Sequence, residues 1–317
     1  MKLVTLFDTS IATENVGDFI IMDAVREQVD KIVPTKQIIT LPTHDYIGKE
    51  GRRLLRASEY SLVGGTNLLS SNLLKYQQWK FRLSDINYLN NSILMGVGWW
   101  QYQNTPNYYT RKVWNKVLHK DMIHSVRDEY TKNQLLKMGI KNVLNTSCAT
   151  MWNLTPEHCS QIKTMKGDTV VLTLTDYNQV PEKDIKLVNT LLKNYSTVYF
   201  WPQGSGDIQY LQSIYSSFSR DVSILNPNLE SLNNALCQPD VDYIGTRLHA
   251  GIRALQLKVR TVIIGIDNRA LEKSRDFNLE VIDRTQIDDL DALINQEIRA
   301  DIKLPEDNIN KWKAQFE

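Results

Sequence analysis

Hydrophobic positions recur along the chain in two patterns: short apolar runs, and segments whose apolar residues lie three or four positions apart. In the first half, the apolar run Lys2–Phe7 predicts a strand, and the spacing of apolar residues over Asp18–Ile32 predicts a helix. Further strands are predicted at Ile38–Leu41, Tyr60–Val63, Ser92–Val97, Met122–Val126 and Lys141–Asn145, and further helices at Arg52–Ala57 and Glu129–Met138.

The second half repeats this alternation. Strands are predicted at Thr169–Leu174, Thr197–Trp201, Val222–Leu225, Val241–Ile244 and Thr261–Ile266, and helices at Glu182–Lys193, Asp207–Phe218, Leu229–Cys237, Arg247–Leu257 and Pro305–Phe316. Strands that alternate with helices form parallel sheets with crossover helices, so each half predicts a Rossmann-like layer of an α/β protein. The expected domains are 1–154 and 169–300, followed by a C-terminal helix in 301–317, with a hinge over Thr155–Asp168.

Composition narrows the classes of protein that fit. The length of 317 residues suggests two domains, and 42% hydrophobic and 23% charged residues are typical of a globular chain. A net charge of +1 gives no global attraction to nucleic acid, so a bound anion must be held by local groups. Three cysteines without C-x-x-C spacing favour reduced thiols over a disulfide framework or a metal site. The GxGxxG fingerprint is absent, which counts against a nucleotide redox cofactor, and no cofactor is expected.

No apolar run approaches the roughly 18 residues that a membrane span requires. The apolar start, Met1–Phe7, is followed at once by Asp8 and is too short for a secretory signal. We therefore expect a cytoplasmic protein without an integral membrane segment.

The sharpest chemical signal is the segment Val241–Gly251, which predicts a strand, a turn at Gly245 and a helix. The first turn of such a helix presents unpaired N–H groups and a positive dipole end, a site for anions at Thr246 and Leu248. Arg247 adds a guanidinium fork for carboxylate or phosphate oxygens, and His249 adds a group that can exchange protons near neutral pH. The structural alternative is that Arg247 caps a neighbouring element and that His249 is a satisfied buried imidazole.

Other loops at predicted strand ends carry weaker signals. Arg127 could face a ligand or pair with Asp128, and Asp18 could be a helix N-cap or act in the site with Asn15 and Gly17. The pair Gly64-Gly65 with Thr66 and Asn67 permits close approach of a ligand, and Trp99-Trp100 could be core residues or a platform that stacks on a sugar.

Together these motifs resemble the polysaccharide pyruvyl transferase family. The resemblance rests on an ordered set of four motifs: Asn15-x-Gly17-Asp18, Gly64-Gly65-x-x-Leu68, Val126-Arg127-Asp128 and Arg247-Leu248-His249-Ala250. It implies two Rossmann-like domains facing across a cleft, as in GT-B glycosyltransferases. It also implies transfer of the pyruvyl group of phosphoenolpyruvate to saccharide hydroxyls as a ketal, in cell-envelope polysaccharide biosynthesis.

Carried over residue by residue, the resemblance implies that Arg127, Arg247 and His249 hold phosphoenolpyruvate and that Asp18 lies near the acceptor. Our interpretation makes His249 the general acid and base, with Asp18 as a second catalytic candidate and Thr246, Leu248, Arg269, Asn15, Gly17, Gly65, Thr66 and Asn67 as substrate-binding residues. The family's Tyr-Asp-x-Lys pattern reads Ile266-Asp267-Asn268-Arg269 here, and an Asp-Pro after the first domain is replaced by Ser147–Trp152. Both departures bear on the identity of the donor.

Two other functions stay open at this stage. A GT-B-type glycosyltransferase would use Arg247 and the helix start to hold the diphosphate of a nucleotide sugar, and a scaffold protein would have no activity. The sequence does not name the acceptor. A lipid-linked acceptor would bring the protein to the inner face of the membrane, whereas a nucleotide-linked acceptor would not.

Overall fold

A computed structural model describes residues 2–317; Met1, the first residue of the predicted first domain, lies outside the described residues. The chain forms two compact units. The first contains residues 2–13, Ile21–Trp152 and Leu304–Glu317, and the second contains Glu14–Ile20 and Asn153–Lys303. No helix within residues 2–317 combines the length and hydropathy needed to span a membrane.

The first unit is built on parallel strands with crossover helices. Its strands are β1 (Leu3–Asp8), β2 (Gln37–Pro42), β3 (Ser58–Gly64), β4 (Ser92–Met95), β5 (His124–Val126) and β6 (Val143–Asn145). The helices in this part of the chain are α1 (Gly17–Ile32), α2 (Lys49–Ala57), α3 (Ile86–Leu89), α4 (Tyr108–Val117) and α5 (Glu129–Lys137). The strand order is β2-β1-β3-β4, and a parallel bridge from Val97 to Val126 brings the β5-β6 pair alongside. The first turn of α1 groups with the second unit.

The second unit carries a six-stranded parallel sheet. Its strands are β7 (Thr169–Thr173), β8 (Thr197–Phe200), β9 (Ser223–Ile224), β10 (Val241–Gly245), β11 (Arg260–Gly265) and β12 (Val281–Asp283). Its helices are α6 (Pro156–Cys159), α7 (Pro181–Asn194), α8 (Asp207–Ile214), α9 (Leu229–Leu236), α10 (Leu248–Gln256), α11 (Asn268–Phe277) and α12 (Leu290–Ile294). The order β9-β8-β7-β10-β11-β12 is the 3-2-1-4-5-6 order of the Rossmann fold.

The last helix, α13 (Glu306–Ala314), belongs to the first unit rather than standing alone. Trp312 is fully buried and packs edge-on against Trp152 with ring centroids 5.6 Å apart. The Asn308 side chain also donates to the backbone oxygen of Asn145 at 2.9 Å. The predicted domains treated 301–317 as a separate C-terminal helix and placed 14–20 in the first domain. In the structure, 304–317 group with the first unit and 14–20 with the second. These assignments depend on contacts between segments far apart in sequence.

Several elements have no counterpart in the predicted pattern. Helix α11 was not expected, because it is mostly polar and its buried residues include Glu272 and Lys273. The half-buried Asp267 is its N-cap residue, since the Asp267 carboxylate accepts from the Arg269 amide at 2.9 Å. Helix α4 and strand β12 were also missed, whereas the predicted strands and the other long helices lie within a few residues of the observed ones.

A buried ion pair closes the second unit at the amino-terminal end of its sheet. Arg260 on β11 donates to the Asp242 carboxylate on β10 at 2.7 Å, and the Tyr195 hydroxyl donates to the same carboxylate oxygen at 2.6 Å. The Arg260 side chain also binds the backbone oxygens of Ile294 and Gln296 at 2.8 and 3.0 Å. Burial raises the pKa of the Asp242 carboxyl, while Tyr195 and Arg260 oppose this rise. The pair therefore ties the sheet to the segment after α12.

We expect Asp242→Asn to lower the free energy of unfolding by about 3 kcal/mol, because it leaves the Arg260 charge buried without its counter-ion. Urea denaturation followed by tryptophan fluorescence measures the loss. Asp240→Asn is the matched control: Asp240 pairs with Lys163 on the surface, with side chains 68% and 56% exposed, so its replacement should cost no more than about 1 kcal/mol. Equal effects of the two substitutions would contradict the structural role of the buried pair.

Candidate active site

The candidate site of the second unit lies where its strand order reverses. Strands β7 and β10 are neighbours there, and their chains cross over in opposite directions, which opens a crevice at their carboxyl ends. Gly245 ends β10 so close to β7 that a Cβ would lie 2.3 Å from Thr173 Oγ1. The Thr246 amide donates to the Thr173 oxygen at 3.0 Å, and the Thr246 and Thr175 hydroxyls are 2.8 Å apart. The turn into α10 is therefore fixed against β7.

Helix α10 begins immediately after this turn. Arg247 is its N-cap residue with an extended backbone, φ −91° and ψ 104°, so the helix starts one residue later than predicted. No side chain caps the first turn, which leaves the N-terminal end of the helix suited to bind an anion. Thr246, Leu248 and His249 are buried around this start, His249 with 5% of its surface exposed.

The guanidinium of Arg247 is held by two carboxylates. Its Nε donates to Asp207 at 3.1 Å and to the Leu174 oxygen at 3.2 Å, while Nη2 binds Asp176 at 2.9 Å and also contacts Asp207. Burial raises the pKa of the Asp207 carboxyl, and the neighbouring Arg247 charge opposes the rise. Arg247 therefore pairs with two neighbouring carboxylates, whereas the structural alternative from the sequence was that it caps a neighbouring element. This pairing does not test the prediction that Arg247 helps to bind an anion. Of its two partners, Asp176 is 31% exposed and Asp207 is fully buried.

The same Asp207 orders the loop that follows β8. Its carboxylate accepts from the amides of Gln203 and Gly204 at 3.0 and 2.8 Å. The Gln203 oxygen in turn accepts from the Val16 amide at 2.9 Å, and Gln203 Nε2 donates to Asn15 Oδ1 at 2.8 Å. The Asn15 motif therefore lies against the loop that Arg247 and Asp207 hold.

Within this motif, each residue has a defined place. Asn15 Oδ1 also accepts from the Gly17 amide at 3.1 Å, and a Cβ at Gly17 would lie 2.6 Å from Gln203 Nε2. Asp18 is the second residue of α1 and is buried, so it is not the N-cap residue, which was one of the two roles that the sequence left open; a role in the site stays a prediction. The Asn15 side chain instead forms a local hydrogen bond with the amide of Gly17, the first residue of the helix.

Tyr177 lies between the two arginines of this unit. Its ring centre is 5.1 Å from the Arg247 guanidinium carbon and 5.8 Å from that of Arg269, and its hydroxyl accepts from Arg269. Arg269 is also paired with Asp267, with Nε at 2.9 Å from the carboxylate. Asp267 and Tyr177 raise the pKa of Arg269 against the effect of burial. The structure therefore brings Arg247 and Arg269 close to one tyrosine.

In the first unit, Arg127 is bound by its sequence neighbour. Arg127 Nε is 3.0 Å from the Asp128 carboxylate, and Nη2 donates to the Trp99 oxygen at 3.0 Å. The guanidinium lies against backbone, since a Cβ at Gly98 would be 2.1 Å from it. Of the two roles predicted for Arg127, the structure shows the pairing with Asp128; a ligand role stays a prediction.

The Gly64-Gly65 pair serves close packing within the first unit. A Cβ at Gly65 would lie 2.2 Å from the Gly96 oxygen, and one at Gly64 would lie 2.7 Å from the Met22 sulfur. The Thr66 oxygen accepts from the Gly98 amide at 2.9 Å, which links this loop to the segment against Arg127. Asn67 Oδ1 is buried without a hydrogen-bond partner among the described residues and stays a candidate ligand contact.

Sequence reasoning assigned no role to Asp176, Tyr177 and Asp207, which contact the arginines, or to Gln203, whose amide donates to Asp207. Asp176 and Tyr177 follow β7, and Gln203 follows β8, so their position after predicted strands was the available signal. Gln203 Oε1 is buried and has no hydrogen-bond partner within residues 2–317. It is a free acceptor beside the Asn15 motif.

These features define an α/β enzyme with two Rossmann-like units. The second unit has a helix N-terminus suited to bind an anion at its switch point. The chain belongs to the polysaccharide pyruvyl transferase family, whose model matches residues 15–268. It is therefore a transferase. The matched range includes the Asn15, Arg127 and Arg247 motifs and ends one residue before Arg269.

Solved structures share the fold at low sequence identity. The UDP-GlcNAc 2-epimerase of Methanocaldococcus jannaschii, in complex with UDP-GlcNAc and UDP, is 14% identical over 95% of each chain, with a TM-score of 0.56. The UDP-N-acetylglucosamine 2-epimerase of Rickettsia bellii is 10% identical over 99% of this chain and 94% of its own, with a TM-score of 0.53. The prediction of a GT-B-like α/β fold with two Rossmann-like domains is confirmed. Comparison with curated proteins finds no significant sequence match.

We expect Asp207→Ala to loosen both the loop after β8 and the Asn15 motif, because one carboxylate holds both through Gln203. Loss of its charge-assisted hydrogen bonds, about 2 kcal/mol, should speed amide exchange of Val16 and Gly204 by roughly 30-fold. Hydrogen exchange read by mass spectrometry measures this. Asp221→Ala, which removes a surface carboxylate of the same unit, is the control. Faster exchange at Gly204 with Val16 unchanged would show that the two segments are not coupled.

Proposed function

We propose that this protein transfers the pyruvyl group of phosphoenolpyruvate to two hydroxyls of a saccharide and forms a cyclic ketal. The observation that carries the proposal is the uncapped start of α10 at the switch point, with Arg247 and His249 beside it, in a chain of the polysaccharide pyruvyl transferase family. Phosphoenolpyruvate carries a carboxylate and a phosphate. Such a ligand suits a helix N-terminus together with guanidinium groups.

In this proposal the donor replaces one of the two carboxylates that contact Arg247. Arg247 contacts Asp207, which is fully buried, and Asp176, which is 31% exposed. In our proposal Asp207 stays as the fixed counter-ion, and the donor takes the place of Asp176 on Nη2. Arg269, which donates to the Tyr177 hydroxyl, supplies the second cation.

In the proposed reaction, His249 donates a proton to the methylene carbon of the enol, which becomes the methyl group. One saccharide hydroxyl then bonds to the adjacent carbon, and the phosphate leaves with its bridging oxygen. A second hydroxyl closes the ketal, and the protons of the two hydroxyls replace the one given to carbon and leave with phosphate. An imidazole can give and take these protons near neutral pH. Asp18 is the second candidate base, and Gln203 Oε1 is a free acceptor for a saccharide hydroxyl.

A single assay tests the donor. The protein is incubated with saccharide acceptors and either phosphoenolpyruvate or a set of nucleotide sugars, and the acceptor mass is followed. We expect a mass gain of a pyruvyl ketal with release of phosphate. A hexosyl gain would replace the proposal with a glycosyltransferase, the class of activity that the sequence left open.

We expect His249→Ala to lower turnover more than roughly 100-fold, because it removes the proton donor. Thermal unfolding should remain cooperative, which shows that the fold is intact. Arg253→Ala is the matched control, since Arg253 lies on the same helix and binds the Asn233 side chain at 2.8 Å. Near-normal turnover of His249→Ala would remove His249 from the mechanism.

For Arg269, the measured quantity is the KM for phosphoenolpyruvate. Arg269→Gln should raise this KM about tenfold through loss of the second cation, equivalent to about 1.4 kcal/mol. Arg269→Lys keeps the charge and should restore most of the affinity, as the lysine of the family pattern implies. A KM that is the same in all three proteins would show that Arg269 acts only in the fold.

A further inference from the structure

An aromatic groove lies at the carboxyl ends of β3 and β4 in the first unit. Three aromatic side chains, Tyr76, Trp100 and Tyr102, line it, and we call them the aromatic shelf. The groove has a volume of about 590 Å³, within the range of small-molecule sites, which is roughly 300–1,000 Å³. In open parallel sheets, ligands bind at this end of the strands.

Ring stacking and hydrogen bonds fix the position of the aromatic shelf. Tyr76 and Trp100 stack at a centroid distance of 3.8 Å with an angle of 10° between their planes, and the Trp100 amide donates to the Leu69 oxygen at 2.7 Å. The preceding Trp99 is fully buried and donates to Gln103 Oε1 at 3.1 Å. Of the two roles that the sequence allowed for Trp99-Trp100, Trp99 is thus a core residue, whereas Trp100 lines the groove.

Tyr102 is presented outward by a local backbone constraint. Gln101, just before it, has a φ of 54° in the left-handed region, which non-glycine residues adopt at an energetic cost. Tyr102 is 55% exposed and packs edge-on against Tyr130 with centroids 5.0 Å apart. The Tyr130 hydroxyl accepts from the Gln103 amide at 2.7 Å, which fixes the end of this turn. A strained turn that exposes an aromatic ring suggests a binding role.

The chemistry of the groove fits a neutral saccharide. Beside the aromatic residues it is lined by Ser71, Asn72, Lys75, Gln103 and Asn104, and no acidic residue is among its described lining residues. A sugar ring has an apolar C–H face and a rim of hydroxyls. Aromatic faces bind the first, and amides can both donate to and accept from the second.

We propose that the aromatic shelf binds the saccharide chain of the acceptor, with a sugar ring lying against Trp100. This inference rests on the proposed function for the identity of the ligand as the acceptor. It assigns the groove to an uncharged oligosaccharide segment, since the shelf offers stacking surface and amides rather than paired cations.

The test measures binding without donor, so that it is independent of catalysis. The full-length protein is titrated with oligosaccharides of glucose, galactose, mannose and N-acetylhexosamines, and binding is read by saturation-transfer NMR. We expect at least one oligosaccharide to bind and Trp100→Ala to weaken its Kd about tenfold, while Trp100→Phe keeps most of the affinity. Tyr102→Ala, a change at an exposed position, should weaken binding in the same direction.

Tyr108→Ala is the matched control, because Tyr108 is 74% exposed and lies outside the groove. Its Kd should equal that of the wild type. Unchanged binding in both Trp100→Ala and Tyr102→Ala, or no binding of any oligosaccharide to the wild type, would overturn the proposal.

A second readout separates this proposal from the proposed function. If pyruvyl transfer occurs, Trp100→Ala should raise the KM for the saccharide about tenfold and leave the KM for phosphoenolpyruvate unchanged. Transfer with an unchanged saccharide KM would overturn the shelf and keep the donor. Oligosaccharide binding that depends on Trp100, without any pyruvyl transfer, would support the shelf and reject the donor.

Discussion

The pairing of the Arg247 guanidinium with Asp207 is the interaction on which the second unit's candidate site depends. A buried guanidinium must have counter-ions, and Asp207 is fully buried at its side. The same carboxylate accepts from the amides of Gln203 and Gly204, and Gln203 holds Asn15 and Val16. One charge pair thereby positions the end of β10, the loop after β8 and the first turn of α1. Loss of either partner would leave a buried charge and release the other segments.

This pairing changes how an anion site in this unit must be understood. Two carboxylates face Arg247, so its guanidinium by itself adds no net positive charge to the crevice. Arg269 is likewise paired, with Asp267, so the positive potential comes from the uncapped start of α10. The two carboxylates differ in accessibility, because Asp176 is partly exposed and Asp207 is not. Solvent can therefore replace the Asp176 carboxylate on Arg247 at a much lower free-energy cost than the Asp207 carboxylate.

Glycines make the close approaches that this architecture requires. Gly245 lies against Thr173 on the neighbouring strand, Gly65 lies against the Gly96 oxygen, and Gly98 lies under the Arg127 guanidinium. A Cβ at any of these positions would lie 2.1–2.3 Å from a heavy atom; at Gly65 and Gly245 it would meet backbone and push the chains apart, and at Gly98 it would displace the Arg127 guanidinium. In the first unit, Arg127 contacts Asp128 and the Trp99 oxygen, so the guanidinium joins β5 to the turn that leads to Trp100.

The sequence by itself determined the alternation of strands and helices, the two Rossmann-like layers and the strand-turn-helix at Gly245, because these depend on local spacing of apolar residues and on turn chemistry. It did not predict α11, whose helical residues are mostly polar, or the partners of the arginines. Arg247 meets Asp207 across 40 residues and Asp176 across 71, and Gln203 meets Asn15 across 188. Only the tertiary structure decided these contacts, and with them the grouping of residues 14–20 and 304–317 with the two units. The physical reason is that the partner of a buried charge or amide is the group that the folded chain brings near it. Local sequence patterns carry no information about that partner.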